Sequence, residues 1–349
     1  MTASPKILVI GPSWVGDMVM SQALYISLKQ QHPSATIDVL APAWCKPILD
    51  RMPQVNHAIE MPIGHGEFNF SGRVELARSL RNKAYTQAIV CPNSAKSALI
   101  PWMAKIPKRT GWKGEFRYGL LNDIRTNKKS FPLMVERYVA LAHTKSSMSN
   151  ATVLGGLENL PKPSLFVDPS IQGETLDKFG LDKHTPAVGL CPGAEFGPAK
   201  QWPVEHYATV AKELLKSGYQ VWLFGSAKDR QTTQAIAAQA DQHSKAKIAN
   251  LAGETSLIEA VDLLAACQTV VSNDSGLMHV AGAVGCHVIG VYGSTSFQYT
   301  PPLANRVDTV STNIECRPCF KRECPLGHLK CLKELSPSRV LDCIDSPKF

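Results

Sequence analysis

The chain has 349 residues and a formal net charge of +8, and at roughly 100 to 200 residues per domain that length suggests two domains. No apolar run approaches the ~18 residues of a membrane span, and Ile7 to Ile10 is too short for a signal-peptide core. A cytosolic location is therefore expected, with the ten cysteines present as thiols or metal ligands instead of disulfides. The modest positive charge agrees with an anionic partner without identifying one.

In chain order, the β-type run Lys6-Ile-Leu-Val-Ile10 leads straight into Gly11-Pro-Ser-Trp-Val-Gly16-Asp17. The glycines have the Gly-x4-Gly spacing of a phosphate loop, but Asp17 stands where that loop needs a lysine, and a carboxylate repels phosphate. Asp17 opens a helix predicted over Met18 to Gln31, just beyond the carboxyl end of a strand, which makes it a candidate general base. The alternative is a carboxylate favoured only by the helix dipole. Further strands are predicted at Thr36 to Leu40, His57 to Glu60 and Ala88 to Cys91, with a helix over Gly72 to Asn82; this alternation implies a doubly wound parallel sheet. Next comes a basic stretch, Lys105 to Lys129, interleaved with Trp112, Phe116 and Tyr118. It reads either as a groove, with Trp112, Lys113 and Arg117 as contacts, for an acidic ligand, a nucleic acid or a lipid headgroup, or as a solvated loop. A Ser-, Gly- and Pro-rich segment from Lys145 to Val167 reads as a linker, dividing the chain into domains 1–167 and 168–349.

The second half restarts the pattern, with strands predicted at Ala187 to Cys191, Gln220 to Phe224, Ile248 to Asn250, Thr269 to Ser272 and His287 to Tyr292. Pro203 suits a first helical turn, and Ser256-Leu-Ile-Glu259 matches a capping box. Ser272-Asn-Asp-Ser-Gly-Leu-Met-His279 follows a strand and opens a helix of small residues. Asp274 is expected to cap that helix, and the amides around Ser275, Gly276 and Leu277 to face an anion such as a diphosphate; an ordinary capped helix with His279 packed inside is the alternative. The Gly- and Pro-rich loop Cys191 to Pro203 carries Lys200, placed to neutralise a leaving phosphate. Ser226 and Glu254 lie at strand ends where a base and ribose would sit. A cleft between two such α/β domains is the expected ligand site.

Four segments, Gly11 to Asp17, Arg109 to Asp123, Cys191 to Trp202 and Ser272 to His279, closely resemble the ADP-heptose:lipopolysaccharide heptosyltransferases of glycosyltransferase family 9, of the kind that adds the second heptose. The likeness runs from about Lys6 to Val340. It implies an inverting glycosyltransferase of GT-B fold, two Rossmann-like domains facing a cleft, acting at the inner leaflet on heptosyl-Kdo2-lipid A. By that resemblance ADP-heptose binds the C-terminal domain through Lys200, Asp274, Ser275, Gly276 and His279, with Ser226 and Glu254 as further donor contacts, and Asp17 is the base.

A diphosphate leaving group needs charge stabilisation and not a proton, so no metal cofactor is expected; no Asp-x-Asp motif occurs. An NAD-dependent dehydrogenase would share the fold class, but the first loop lacks Gly-x-Gly-x-x-Gly. A zinc-bearing nucleic-acid binder is a second rival, raised by Cys316-x2-Cys319-x4-Cys324-x6-Cys331 with His328 inside. Metal ligation and plain structural thiols both fit that spacing, and a zinc there would leave the transferase reading intact, with no nucleic-acid partner.

Overall fold

The computed structural model describes residues 4–64, 67–240 and 248–345, which divide between Pro163 and Ser164 into two compact units. The first unit runs β1 (Lys6–Ile10), α1 (Val15–Gln31), β2 (Thr36–Ala41), α2 (Lys46–Leu49), β3 (His57–Glu60), α3 (Phe70–Arg81), β4 (Gln87–Val90), α4 (Ala95–Met103), β5 (Lys108–Trp112), β6 (Asp123–Arg125) and α5 (Met134–Ala140). Its six strands are parallel, in the order β3-β2-β1-β4-β5-β6. Ile7 to Ile10 are buried because helices cover both faces of a parallel sheet, which is why β1 reads as an unbroken apolar run.

The second unit runs α6 (Pro169–Lys178), β7 (Ala187–Cys191), α7 (Val204–Lys216), β8 (Gln220–Leu223), α8 (Arg230–Ala240), β9 (Ile248–Asn250), α9 (Leu257–Ala265), β10 (Thr269–Asn273), α10 (Gly276–Ala283), β11 (His287–Val291), β12 (Val307–Val310), α11 (Lys330–Lys333) and α12 (Ser338–Leu341). Its six-stranded sheet has the order β12-β11-β10-β7-β8-β9. Counted from each unit's first strand, both sheets therefore have one strand order, that of the dinucleotide-binding α/β folds. The Ser256 hydroxyl accepts from the Glu259 amide at 3.3 Å while the Glu259 carboxylate accepts from the Ser256 amide at 2.7 Å, so the expected capping box starts α9. The amphipathic face of α7 (Tyr207, Val210, Leu214) packs on β7, β8 and β10, and Leu332, Leu335 and Val340 of the C-terminal segment close the same core.

The basic stretch forms β5 and β6 instead of a groove. Its arginines serve the fold: a guanidinium offers five donors, and the loops around these strands leave carbonyls without ladder partners. Arg109 donates to the Leu120 and Ile106 carbonyls at 2.6 and 2.7 Å. Arg125 pairs with Asp123 at 3.0 Å and donates to the His143 carbonyl at 2.7 Å. Arg117, 2% exposed, donates to the carbonyls of Pro92 and Trp112. Trp112 is buried against Phe131, its indole N–H donating to the Arg137 carbonyl at 3.0 Å. Expecting Trp112 and Arg117 at a ligand-facing surface is thus corrected by their burial; of the three acceptor candidates only Lys113 is exposed.

Arg117→Ala should lower the unfolding free energy by about 2 to 4 kcal/mol, because two carbonyls lose a charged donor. Lys113→Ala should stay within about 0.5 kcal/mol of wild type. Urea denaturation of both variants measures the contrast.

Candidate functional site

In a doubly wound sheet, the loops leaving the carboxyl ends of the two central strands turn to opposite faces and open a crevice. The first unit has this point between β1 and β4. The loop after β1 is held by the Gly11 amide on the Leu40 carbonyl at 2.9 Å and by the Trp44 indole on the Ser13 carbonyl at 2.8 Å. It delivers Asp17 into the first turn of α1. Because α1 packs against α5, Tyr138 reaches across and its hydroxyl donates to Asp17 Oδ1 at 3.0 Å. The thiols of Cys45 and Cys91 also lie close, each pushed up to about 12 by burial and then by the Asp17 charge, so both stay neutral.

The corresponding point in the second unit lies between β7 and β10. The side chain of Asn273, at the end of β10 and fully buried, donates to the Pro192 carbonyl at 2.6 Å and accepts from the Trp202 amide at 3.2 Å and the Tyr207 hydroxyl at 3.1 Å. This pins both ends of the Lys200 loop. Lys200 Nζ meets Asp274 Oδ2 at 2.6 Å, with side chains 13% and 5% exposed, and lies 4.9 Å from the centre of the Phe196 ring. The same carboxylate accepts from Thr295 at 2.6 Å and Thr300 at 3.4 Å.

Asp274 therefore does not cap α10, contrary to expectation, because an ammonium and two hydroxyls compete for its oxygens. The N-cap residue is Ser275, which makes no side-chain capping bond; its hydroxyl meets that of Ser272 at 3.1 Å. The first-turn amides of α10, from Gly276 and Leu277 onward, accordingly have no side-chain cap, and such amides favour an anion. His279 is buried on this helix, and burial pulls its pKa down to about 4, with Asp274 opposing and Lys200 adding to the shift.

The outer donor candidates have protein partners. Both the amide and hydroxyl of Ser226 donate to Asp229 at 2.8 Å, capping the turn that precedes α8, and Glu254 pairs with Arg230. Their loops adjoin through the Gly253 amide on the Gly225 carbonyl at 2.9 Å. Asn273, Tyr138, Thr295 and Phe196 were not singled out from sequence. Asn273 lies inside a motif already noted, whereas nothing in the pattern of α5 distinguishes Tyr138.

Cys316, Cys319, Cys324 and Cys331 are all free thiols and line one small cavity with Arg317 and His328. Among the described residues, however, no group of three or more His, Cys, Asp or Glu side chains is placed to hold a metal ion, so the geometry gives the zinc expectation no support. Metal ligation needs thiolates. Burial and the neighbouring Cys316, Cys324 and Cys319 push the Cys331 thiol up, whereas amides of the Leu326 to Leu329 turn hold Cys324 below the usual thiol range. This segment instead clasps the Lys200 loop: the Ala199 amide donates to the Arg322 carbonyl at 3.0 Å, and the Phe320 amide donates at 2.8 Å to the carbonyl of Ser294, whose own amide donates to the Ala199 carbonyl at 3.1 Å. Gly197, at φ +147°, lies so close that a Cβ would fall 2.6 Å from the Arg322 carbonyl oxygen, which only glycine accommodates.

Since His279 binds its proton only near pH 4 in the fold but near 6.5 when unfolded, the unfolded state takes up the proton first as pH falls. This residue should therefore remove about 3 kcal/mol of stability between pH 6.5 and 4. A His279→Gln variant should show a flatter loss of stability across that window in urea titrations.

Residues 73–330 match the family model of glycosyltransferase family 9 (heptosyltransferase). The chain is 50% identical over 342 residues to lipopolysaccharide heptosyltransferase 2 of Escherichia coli K12, covering 97% of each chain. It is 54% identical over 309 residues to lipooligosaccharide heptosyltransferase 2 of Haemophilus influenzae Rd, covering 87% of this chain and 88% of that one. The solved structure of E. coli ADP-heptose LPS heptosyltransferase II superposes with a TM-score of 0.84 at 49% identity, covering 97% of both chains. Two Rossmann-ordered sheets, a carboxylate at one switch point and an ammonium beside a helix start at the other therefore come with a family: the chain belongs to glycosyltransferase family 9, the heptosyltransferases, and is a glycosyltransferase.

Proposed function

We propose that this glycosyltransferase moves L-glycero-D-manno-heptose from ADP-heptose to the first heptose of heptosyl-Kdo2-lipid A, with inversion, in building the lipopolysaccharide inner core. The observation that carries the reading is the repeated strand order, which puts different chemistry at equivalent points of the two sheets: the Asp17 carboxylate in one, and Lys200 with the start of α10 in the other. The relatives named above supply heptose and ADP as the transferred sugar and the carrier.

In this mechanism Asp17 takes the proton of the acceptor hydroxyl as its oxygen forms a bond to the anomeric carbon of the donor. The bond from that carbon to the diphosphate oxygen breaks on the opposite face, and its electron pair leaves with ADP. Lys200 and the amides at Ser275, Gly276 and Leu277 meet the charge that develops, which is electrostatic stabilisation needing no proton donor. Asp274 and Thr295 keep Lys200 in position, His279 contributes a neutral imidazole, and the loops of Ser226 and Glu254 border the nucleoside. On the acceptor side Lys113 is exposed, as are Phe116 and Tyr118 a few residues on, suiting an anionic lipid-linked sugar at the cytoplasmic face of the inner membrane. Among the described residues no helix is long and apolar enough to cross a membrane.

Mass spectrometry of a heptosyl-Kdo2-lipid A acceptor incubated with enzyme and ADP-heptose should show one added heptose; an unmodified acceptor would overturn the proposal. Asp17→Asn should lower turnover by about 10²- to 10⁴-fold with little change in donor KM, the usual worth of a general base. Turnover near wild type would leave Asp17 a structural carboxylate. Because the charge is met by protein groups, EDTA should leave the rate unchanged, and a loss restored by a divalent cation would refute that assignment.

A further inference from the structure

The part of the first unit that resembled a ligand groove ends, when followed through its hydrogen bonds, at Asp17. Arg117 ties the loop after β5 to the Pro92 and Trp112 carbonyls. Trp112 in turn donates its indole N–H to the Arg137 carbonyl at 3.0 Å. That carbonyl is one residue before Tyr138 on α5, a helix fixed at its start by Glu136 on the Leu133 amide at 2.9 Å and by Arg137 on the Phe131 carbonyl at 2.7 Å. Tyr138 is 5% exposed, and its hydroxyl is aimed at Asp17 Oδ1 from a different helix, 3.0 Å away.

We propose that Tyr138 is the positioning residue of the base, holding one oxygen of the Asp17 carboxylate so that the group keeps one orientation toward the acceptor. This rests on the reading of Asp17 as the base. A carboxylate in the first turn of a helix can rotate about two side-chain bonds, and a hydrogen bond from a group locked in the core removes that freedom. The phenol is suited to the task because it remains a donor: burial, and then the Asp17 charge, push its pKa well above the usual tyrosine value. Cys45 from the turn after β2 and Cys91 from the loop after β4 also lie near the carboxylate, both kept neutral, with Tyr25 of α1 beside Cys91 and Tyr138. Because the phenol donates to the ionised carboxylate, it favours the form that accepts the proton.

Tyr138→Phe keeps the ring and deletes only the donor. With ADP-heptose and heptosyl-Kdo2-lipid A, kcat should fall about tenfold near neutral pH and the acid limb of the kcat/KM profile should move up by about one pH unit. The donor KM should not change. A merely structural tyrosine would lower the melting temperature without moving the limb, and a wild-type pH profile overturns the assignment. Trp112→Phe, which leaves Tyr138 in place but removes the bond that ties α5 to β5, should move the limb in the same direction by less; it decides the matter if Tyr138→Phe does not fold, an unmoved limb there counting against the proposal. Asp17→Asn separates the two readings. If that variant turns over normally, the base reading fails; if it is inactive while Tyr138→Phe is wild-type in rate and profile, only the positioning role fails.

Discussion

Where Lys200 sits is decided by one buried amide. The loop from Pro192 to Pro203 has little regular structure and could not hold a side chain to a fraction of an ångström by its own hydrogen bonds. Asn273 supplies the missing restraint, with its Nδ2 on the Pro192 carbonyl and its Oδ1 shared by the Trp202 amide and the Tyr207 hydroxyl. The position is possible only because β7 and β10 are neighbours in the sheet, so the end of one strand faces the loop leaving the other. The same residue that closes β10 also sets the direction in which Asp274 leaves it. An amide suits this work because it is donor and acceptor at once, and because leaving any of these groups unpaired in the interior would cost more than a typical hydrogen bond returns.

The charges at this point are balanced before any ligand arrives. Lys200 and Asp274 form a nearly enclosed ion pair, an arrangement that contributes little net stability by itself, since both groups lose hydration. It does fix the ammonium in one place, sharing the Phe196 ring with the Arg322 guanidinium, 4.9 and 5.5 Å from its centre. An incoming diphosphate would then meet an oriented cation and unspent helix amides without having to order them, and preorganisation of this kind is what makes electrostatic stabilisation effective.

The strands with apolar sequence were legible, as were the alternation and the position of Asp17 at a strand-to-helix junction. β5 was not, because Lys108-Arg109-Thr110-Gly111 lacks the apolar pattern by which a strand is read; it is held by its neighbour β4 and by arginine side chains bonded to distant carbonyls. The same arginines looked like a charged surface because composition carries no information on where a guanidinium is buried. Asp274 was placed correctly next to the helix but given the wrong partner. Its bonds come from Lys200, Thr295 and Thr300, and no local rule connects residues so far apart in the chain. Tyr138 escaped for the same reason: its partner is on another helix, and α5 by itself is an ordinary buried turn of chain.

The clasp between Gly197 and Arg322 has a consequence for synthesis. Domains fold broadly in the order in which they leave the ribosome, and the first unit has all its strands by Arg125. The loop bearing Lys200 emerges well before the segment that closes over it, so during translation its amides and the Phe196 ring lie open to solvent until Arg322 has been made. The two halves of the enzyme thus mature at different times: the half with the carboxylate can be complete on a nascent chain, while the half with the ammonium waits for Arg322 and its neighbours.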